Sequence, residues 1–216
     1  MPAAGSVSLA EPGRNCPLCP RLVAFRHKAR EQHPDWHNAP VPGFGPNNAR
    51  LAIIGLAPGL QGANRTGRPF TGDWAGDLLY ETLIGFEFAT GIYEERPDDT
   101  LRLVDCRIIN GVRCVPPENK PTGPEINACR PFLTASLAEM PNLRAVVALG
   151  RIAHETFLRA CGERPARFTF AHGARHTLGN ITLFDSYHCS RYNTNTGRLT
   201  PEMFRAVFKD VRRFLG

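Results

Sequence analysis

The strongest constraint on this chain is an alternation. Four short β-branched or apolar segments, Leu51 to Gly55, Cys106 to Asn110, Ala145 to Gly150 and Ile181 to His188, are each followed by a stretch of helical periodicity. Trp74, Leu78, Leu79, Thr82, Leu83 and Phe86 recur at helical spacing, and so do Ile126, Cys129, Leu133 and Leu137 behind a capping box of Thr122 and Glu125. A third helix follows Gly150 through Ala153, Phe157 and Ala160. A fourth starts at Thr200 and Pro201, a good N-cap and first-turn pair, with Phe204, Val207, Phe208, Val211, Phe214 and Leu215 on one face. Strands alternating with helices predict a mainly parallel sheet with helices on both faces, an α/β sandwich.

A chain of 216 residues, 42% hydrophobic, can bury one sizeable core, so residues 15–216 are expected to form a single domain behind a flexible N-terminal tail, residues 1–14. The start, MPAAGSVSLAEPGRN, lacks the basic and continuous apolar parts of a signal peptide, and the longest apolar runs end in Gly and Pro. An intracellular, cytoplasmic location and no membrane partner are therefore expected. Residues 31–48, rich in Pro, Gly and Asn, read as a loop. The formal charge of +6, mostly from arginine, suits a polyanionic partner, although many basic proteins touch no nucleic acid.

Parallel sheets bind ligands outside the carboxyl ends of their strands. At that rim lie GLAPGLQGANRTGRPFTGDWAG, then Asn110 with GVRC, then Gly150 and Arg151, then HCSRYNTNTGRLT. The turn from Gly55 through Ala57 to Gly59 exposes backbone N–H groups to an oxyanion or a base edge. It is no P-loop, and the dinucleotide-binding glycine pattern is absent too. Of seven cysteines, Cys16 and Cys19 form a CxxC knuckle, while Cys114 sits in a Pro-rich loop and Cys129 on the apolar face of a helix. Four such thiolates suit an iron–sulfur cluster or a structural zinc. Cys106, Cys161 and Cys189 read as small buried side chains with no metal role.

Taken together, GLAPG, RTGRPFTGD, NGVRC with a distal CRPFL, and HCSRYNTNTGRLT resemble the uracil-DNA glycosylase superfamily, most closely its family 5, the B type. The likeness runs from Cys16 nearly to the C-terminus, with the blocks in the family's order. It implies a three-layer α/β/α sandwich with a central four-stranded sheet, and a [4Fe-4S] cluster held by Cys16, Cys19, Cys114 and Cys129. Family 4 typically carries an acidic residue where this chain has Leu56, which favours family 5.

Such an enzyme flips a base out of DNA and breaks its glycosidic bond. The resemblance implies that Phe70 stacks on the base and that Asp73 orients or deprotonates the attacking water. It likewise implies that His188 donates a hydrogen bond to the departing base. The amide of Asn110 offers both a donor and an acceptor to a pyrimidine edge. Read alone, Asp73 suits an N-cap equally well, and His188 a satisfied histidine at a strand end. Ser190, Arg191, Tyr192 and Asn193 are expected to form the loop that enters the minor groove and fills the gap left by the base. Arg65 and Arg68 either contact phosphate or shape the long motif loop. Family members often have Pro where this chain has Cys189, which bears on the backbone beside His188.

The expected partner is DNA containing uracil or other deaminated bases, with hydroxymethyluracil and hypoxanthine as further substrates, and the expected state is a monomer. The cluster is expected to be structural, because hydrolysis moves no electrons. Two other readings compete: a nucleic-acid-binding module around a tetrathiolate zinc, and an electron carrier.

Overall fold

The computed structural model describes residues 11–216. In chain order its elements are α1 (Pro20–Gln32), β1 (Leu51–Gly55), α2 (Ala63–Thr66), α3 (Trp74–Gly85), β2 (Ala89–Thr90), β3 (Arg102–Leu103), β4 (Cys106–Asn110), α4 (Gly123–Ala138), β5 (Ala145–Leu149), α5 (Arg151–Ala160), β6 (Arg175–Leu178), β7 (Ile181–Ser186), α6 (Arg191–Asn195) and α7 (Pro201–Leu215). The main sheet has the order β4-β1-β5-β7-β6, with β2 and β3 forming a separate two-stranded ladder. Within the main sheet β1 pairs in parallel with β4 and β5, and β5 with β7, while β6 runs antiparallel to β7.

The pleat explains the layers. Leu51 and Ile53 of β1 face a core completed by Leu79 and Leu83 of α3 and Phe204, Phe208 and Val211 of α7. Ala52 and Ile54 face the other side, against Leu133 of α4 and Phe157 and Leu158 of α5. Both faces of the central strands are buried, as a parallel sheet requires. This is the three-layer α/β/α sandwich expected, with one strand more than the four anticipated. The extra strand β6 is a short polar edge, RHTL, turned back on β7 through Gly179 and Asn180; edge strands of this kind lack the apolar run that marks a buried one.

Other differences have local causes. β5 stops at Leu149 because Gly150 turns with φ of +95° and caps α5. The Gly150 N–H donates to Ser186 O at 2.8 Å, where β7 also ends, two residues before His188. Helix α1 went unpredicted; its buried positions are Leu22, Arg26 and Ala29. Of the expected tail, residues 1–10 lie outside the described residues. Glu11 is bonded, accepting from Gly43 N at 2.9 Å, and the Arg14 carbonyl accepts from Arg30 at 3.1 Å. The loop of residues 31–48 is tied to the sheet by an isolated bridge between Phe44 and Ile108. Among the described residues no helix is long and apolar enough to cross a membrane.

The β6–β7 edge is stapled to α5 by a buried polar network. His154 presents Nδ1 to Asp185 Oδ1 at 2.7 Å and Nε2 to the Phe168 carbonyl at 3.0 Å, while His176 meets Asp185 Oδ2 at 3.1 Å. Both partners of His154 are acceptors, so both its ring nitrogens carry protons. Burial opposes that charge, but the Asp185 carboxylate outweighs it and raises the His154 pKa. A raised histidine pKa contributes stability that is full below about 6.5, the unfolded value, and is lost as pH rises through the folded one. We therefore expect His154→Ala to destabilise the protein at pH 6 by about 3 kcal/mol in denaturant unfolding, because the buried Asp185 loses a partner. The difference from wild type should shrink as pH rises above neutrality; a gap independent of pH would rule the charged staple out.

Candidate active site

The carboxyl ends of β1 and β4 and the segment after β7 converge on a cleft of about 470 Å³, lined by Ala57, Gly59, Phe70, Asp73, Asn110 and His188, with Ser190, Arg191 and Tyr192 on its wall. The strand order reverses across β1, which is where open parallel sheets leave a crevice. Two of the expected site residues, Asn110 and Phe70, meet on a third, Gly55. A Cβ on Gly55 would lie 2.3 Å from Asn110 Oδ1 and 2.9 Å from the Phe70 ring, so the amide and the ring pack directly on the bare backbone.

Phe70 has φ of +52°, a left-handed conformation that a bulky residue adopts only under constraint, costing on the order of 1–3 kcal/mol. The constraint comes from both flanks. Tyr80 donates to Pro69 O at 2.6 Å and Tyr93 to Phe70 O at 3.2 Å, and Gly76 must lack a side chain, since a Cβ there would sit 2.0 Å from the Phe70 carbonyl. Behind the loop, the buried Arg68 pairs in bidentate fashion with Asp99, at 2.7 Å on each oxygen, and donates to Thr71 Oγ1 at 2.8 Å. Its guanidinium also faces the rings of Phe44, Tyr80 and Tyr93. Burial would push the Asp99 pKa up, yet Arg68 and two backbone N–H groups hold it at about 2. Of the two roles left open for Arg68, the structure therefore selects shaping the loop, because a buried, paired guanidinium is not free to meet phosphate. Arg65 bonds the Gln61 carbonyl at 2.8 Å.

Asp73 takes the N-cap role that its sequence allowed, and its second oxygen is left toward the cleft. Its Oδ1 caps α3 by accepting from Gly76 N at 3.2 Å. Its Oδ2 lies against Gly59 and Gly62, where a Cβ on either would approach to 3.4 and 2.5 Å. Burial raises the Asp73 pKa against the pull of the Gly76 and Ala75 N–H groups, with Asp77 and Glu95 adding to the rise, so this carboxylate is a better base than an exposed one. Across the cleft, the His188 ring stacks toward Phe70 at a centroid distance of 6.0 Å. Burial lowers its pKa to about 4, so the ring is neutral at pH 7. Two buried polar atoms in this cleft have no protein partner, Asn110 Oδ1 and His188 Nδ1.

The predicted wedge loop is a short helix. Ser190 caps α6 by accepting from Asn193 N at 3.4 Å, and the Asn193 amide reaches back to His188 O at 2.8 Å. Cys189 is buried and donates its thiol to Ala75 O at 3.4 Å, so it ties the His188 segment to the first turn of α3. Cys106 is buried as expected, whereas Cys161 is exposed. Trp74 and Asn119 also line the cleft, and neither was singled out from sequence. Asn119 follows Glu118 in a turn where both residues have positive φ, a conformation to which asparagine is unusually tolerant, and that was its only legible signal.

A second cavity gathers Cys16, Cys19, Cys114 and Cys129, all free thiols, with Leu22 and Phe132 in its wall. The sulfurs receive donors: Arg26 Nη1 to Cys114 at 3.4 Å, and Arg113 N to Cys129 at 3.3 Å. Burial pushes Cys114 up to about 11 and Cys129 up to about 12, so the bare thiols hold their protons. A cationic centre would remove them and fit the set, with the buried Arg26 offsetting excess thiolate charge.

The family model for the uracil DNA glycosylase superfamily matches residues 42–212. The chain is 47% identical to the type-5 uracil-DNA glycosylase of Thermus thermophilus, over 93% of this chain and 94% of that protein. It is 38% identical to the type-5 enzyme of Pyrobaculum aerophilum, over 90% and 87%. Identity to the type-4 uracil-DNA glycosylase of Thermotoga maritima is 31%, over 80% of each chain.

The enclosed imidazole generates a prediction. In the free protein the His188 ring signals should titrate in NMR with a midpoint near 4; a midpoint near 6.5, the ordinary value, would show that the ring is solvated. Because the unfolded chain binds this proton first, His188 should also reduce stability as pH falls from about 6.5 toward 4.

Proposed function

The chain belongs to the uracil-DNA glycosylase superfamily, on its type-5 branch, and from that premise we propose that it flips uracil out of DNA and hydrolyses the N-glycosidic bond, leaving an abasic site. The observation that carries this reading is the pair of orphaned polar atoms, Asn110 Oδ1 and His188 Nδ1, beside the strained Phe70 ring. An unpartnered buried polar atom costs about 1–3 kcal/mol, which a flipped base can recover by bonding to it while its π-face meets Phe70.

Bond cleavage leaves the sugar electron-poor and the base electron-rich. Asp73, whose pKa burial raises, would orient water through Oδ2 and oppose positive charge on the sugar. His188 hydrogen-bonds the departing base, and backbone N–H groups between Gly55 and Gly59 share that task. Ser190, Arg191 and Tyr192 on the cleft wall, with Asn193 beside them in α6, would meet the DNA. The cleft has room for a purine as well as a pyrimidine, which supports hypoxanthine and hydroxymethyluracil as further substrates on intracellular DNA. Damage confined to one strand needs only a monomer.

Cys16, Cys19, Cys114 and Cys129 would hold a [4Fe-4S] cluster. Bound there, the group would supply no redox chemistry to a hydrolysis and would join the N-terminal segment to α4. The place of the chain on the type-5 branch favours iron over zinc.

End-labelled oligonucleotides carrying uracil or hypoxanthine, incubated with the protein and then treated with alkali, should break at the modified base. Asp73→Asn should lower the rate at least about 100-fold; breaks that persist undiminished would remove Asp73 from the chemistry, and tight binding without cleavage would favour a binding module. Separately, Cys114→Ala should bleach the brown colour of the protein and lower its thermal midpoint. Zinc without iron or sulfide in the wild-type protein would overturn the cluster.

A further inference from the structure

Trp74 follows directly on Asp73 and is half exposed, at 50%, at the mouth of the cleft. Its indole is nevertheless engaged. Nε1 donates to Thr194 Oγ1 of α6 at 3.0 Å, and the Arg191 guanidinium lies 5.5 Å from the ring centroid. The Thr194 hydroxyl in turn donates within α6, to Arg191 O at 3.1 Å and Ser190 O at 3.3 Å. A helix of five residues, Arg191–Asn195, cannot hold its own shape in water, so its position depends on such contacts. Two side-chain bonds anchor it, Asn193 to the His188 carbonyl and Thr194 to Trp74, beside a backbone bond from Leu199 N to Asn193 O at 3.0 Å. Between them the two side-chain bonds span from the residue at one side of the cleft to the neighbour of the residue at the other. Tyr192, 72% exposed, is left projecting from the tethered helix.

We propose that Trp74 is a positioning residue: through Thr194 and Arg191 it docks α6 against α3, in the register that lets Arg191 and Tyr192 drive a base out of duplex DNA. This rests on the glycosylase reading above. The docking matters only when a base must leave a stack. Single-stranded DNA, which presents its base without that cost, should be nearly indifferent to it.

The test compares the same uracil oligonucleotide as a single strand and as a duplex. Thr194→Val removes the acceptor of the indole N–H, and Thr194→Ser keeps it. The expected result is a three- to tenfold fall in kcat/KM on the duplex for Thr194→Val, the range one hydrogen bond carries, a change within twofold on the single strand, and wild-type behaviour for Thr194→Ser. Trp74→Phe, which keeps a ring beneath Arg191 without the donor, should lose more on the duplex than on the single strand. Equal losses on both substrates, or none on either, would overturn the proposal. A wild-type protein that cleaves neither strand form would refute the glycosylase reading instead. The docking is then decided without catalysis, in a Trp36→Phe background, by the Trp74 emission change on binding a duplex with an abasic analogue. Weaker binding by Thr194→Val, restored in Thr194→Ser, sustains it, and identical titrations refute it.

Discussion

The absence of a side chain at the end of β1 is the constraint around which this molecule is arranged. At Gly55 strand β1, the end of strand β4 and the loop before α3 come into contact, because the Asn110 amide and the Phe70 ring occupy the space a Cβ would fill. Asn110 arrives there by parallel pairing, opposite Gly55 in register. Phe70 arrives by a left-handed turn that the protein enforces from behind with the Arg68–Asp99 pair and two tyrosine hydroxyls. A strained residue survives only where its surroundings over-determine it, and here the surroundings are a buried ion pair flanked by aromatic faces.

The second half of the architecture is a tie between remote segments. Cys16 and Cys19 lie before and at the start of α1, Cys114 just past the end of β4, and Cys129 in α4. Arg21 and Glu125 add a bidentate bridge at 2.8 Å, with the same Glu125 accepting from Thr122 N at 2.7 Å to close the start of α4. The segment from Cys114 to Cys129 is fixed at both ends by these contacts, and on its way it places Asn119 at the cleft. The cysteine cavity and the cleft thus share one loop, so loosening the former reaches the latter through the chain itself.

How much of this was legible depended on whether the signal was local. β1, β4, β5 and β7 announced themselves as buried apolar runs, and α3, α4, α5 and α7 by the spacing of residues such as Leu79, Leu133, Phe157 and Phe208. α1 did not, because one of its three buried positions is Arg26, whose place inside is intelligible only once Cys114 Sγ and Cys16 O are beside it. β6 and α6 are short and polar, and each is held by partners far away in sequence, β7 for one and Trp74 for the other. Arg68 shows the limit most plainly. Nothing near it in sequence distinguishes a phosphate contact from an ion pair, and its partner Asp99 lies 31 positions on. The candidate site residues were named as a set through their likeness to a family, and Phe70, Asp73, Asn110 and His188 do line one cleft; the residues that hold them there were not legible.

The two titratable groups that face each other across the cleft are pushed in opposite directions by the same burial. The Asp73 carboxyl is made more basic and the His188 ring is kept neutral. For breaking a glycosidic bond this pairing has a direct electrostatic consequence. A cationic imidazole would place a positive charge beside a sugar that is itself becoming positive, raising the barrier that it should lower. In the proposed reaction a neutral ring would still donate a hydrogen bond that strengthens as the base gathers negative charge, leaving the Asp73 carboxylate to oppose the charge on the sugar. Enclosure of His188 is therefore what would let one small cleft serve both ends of the breaking bond.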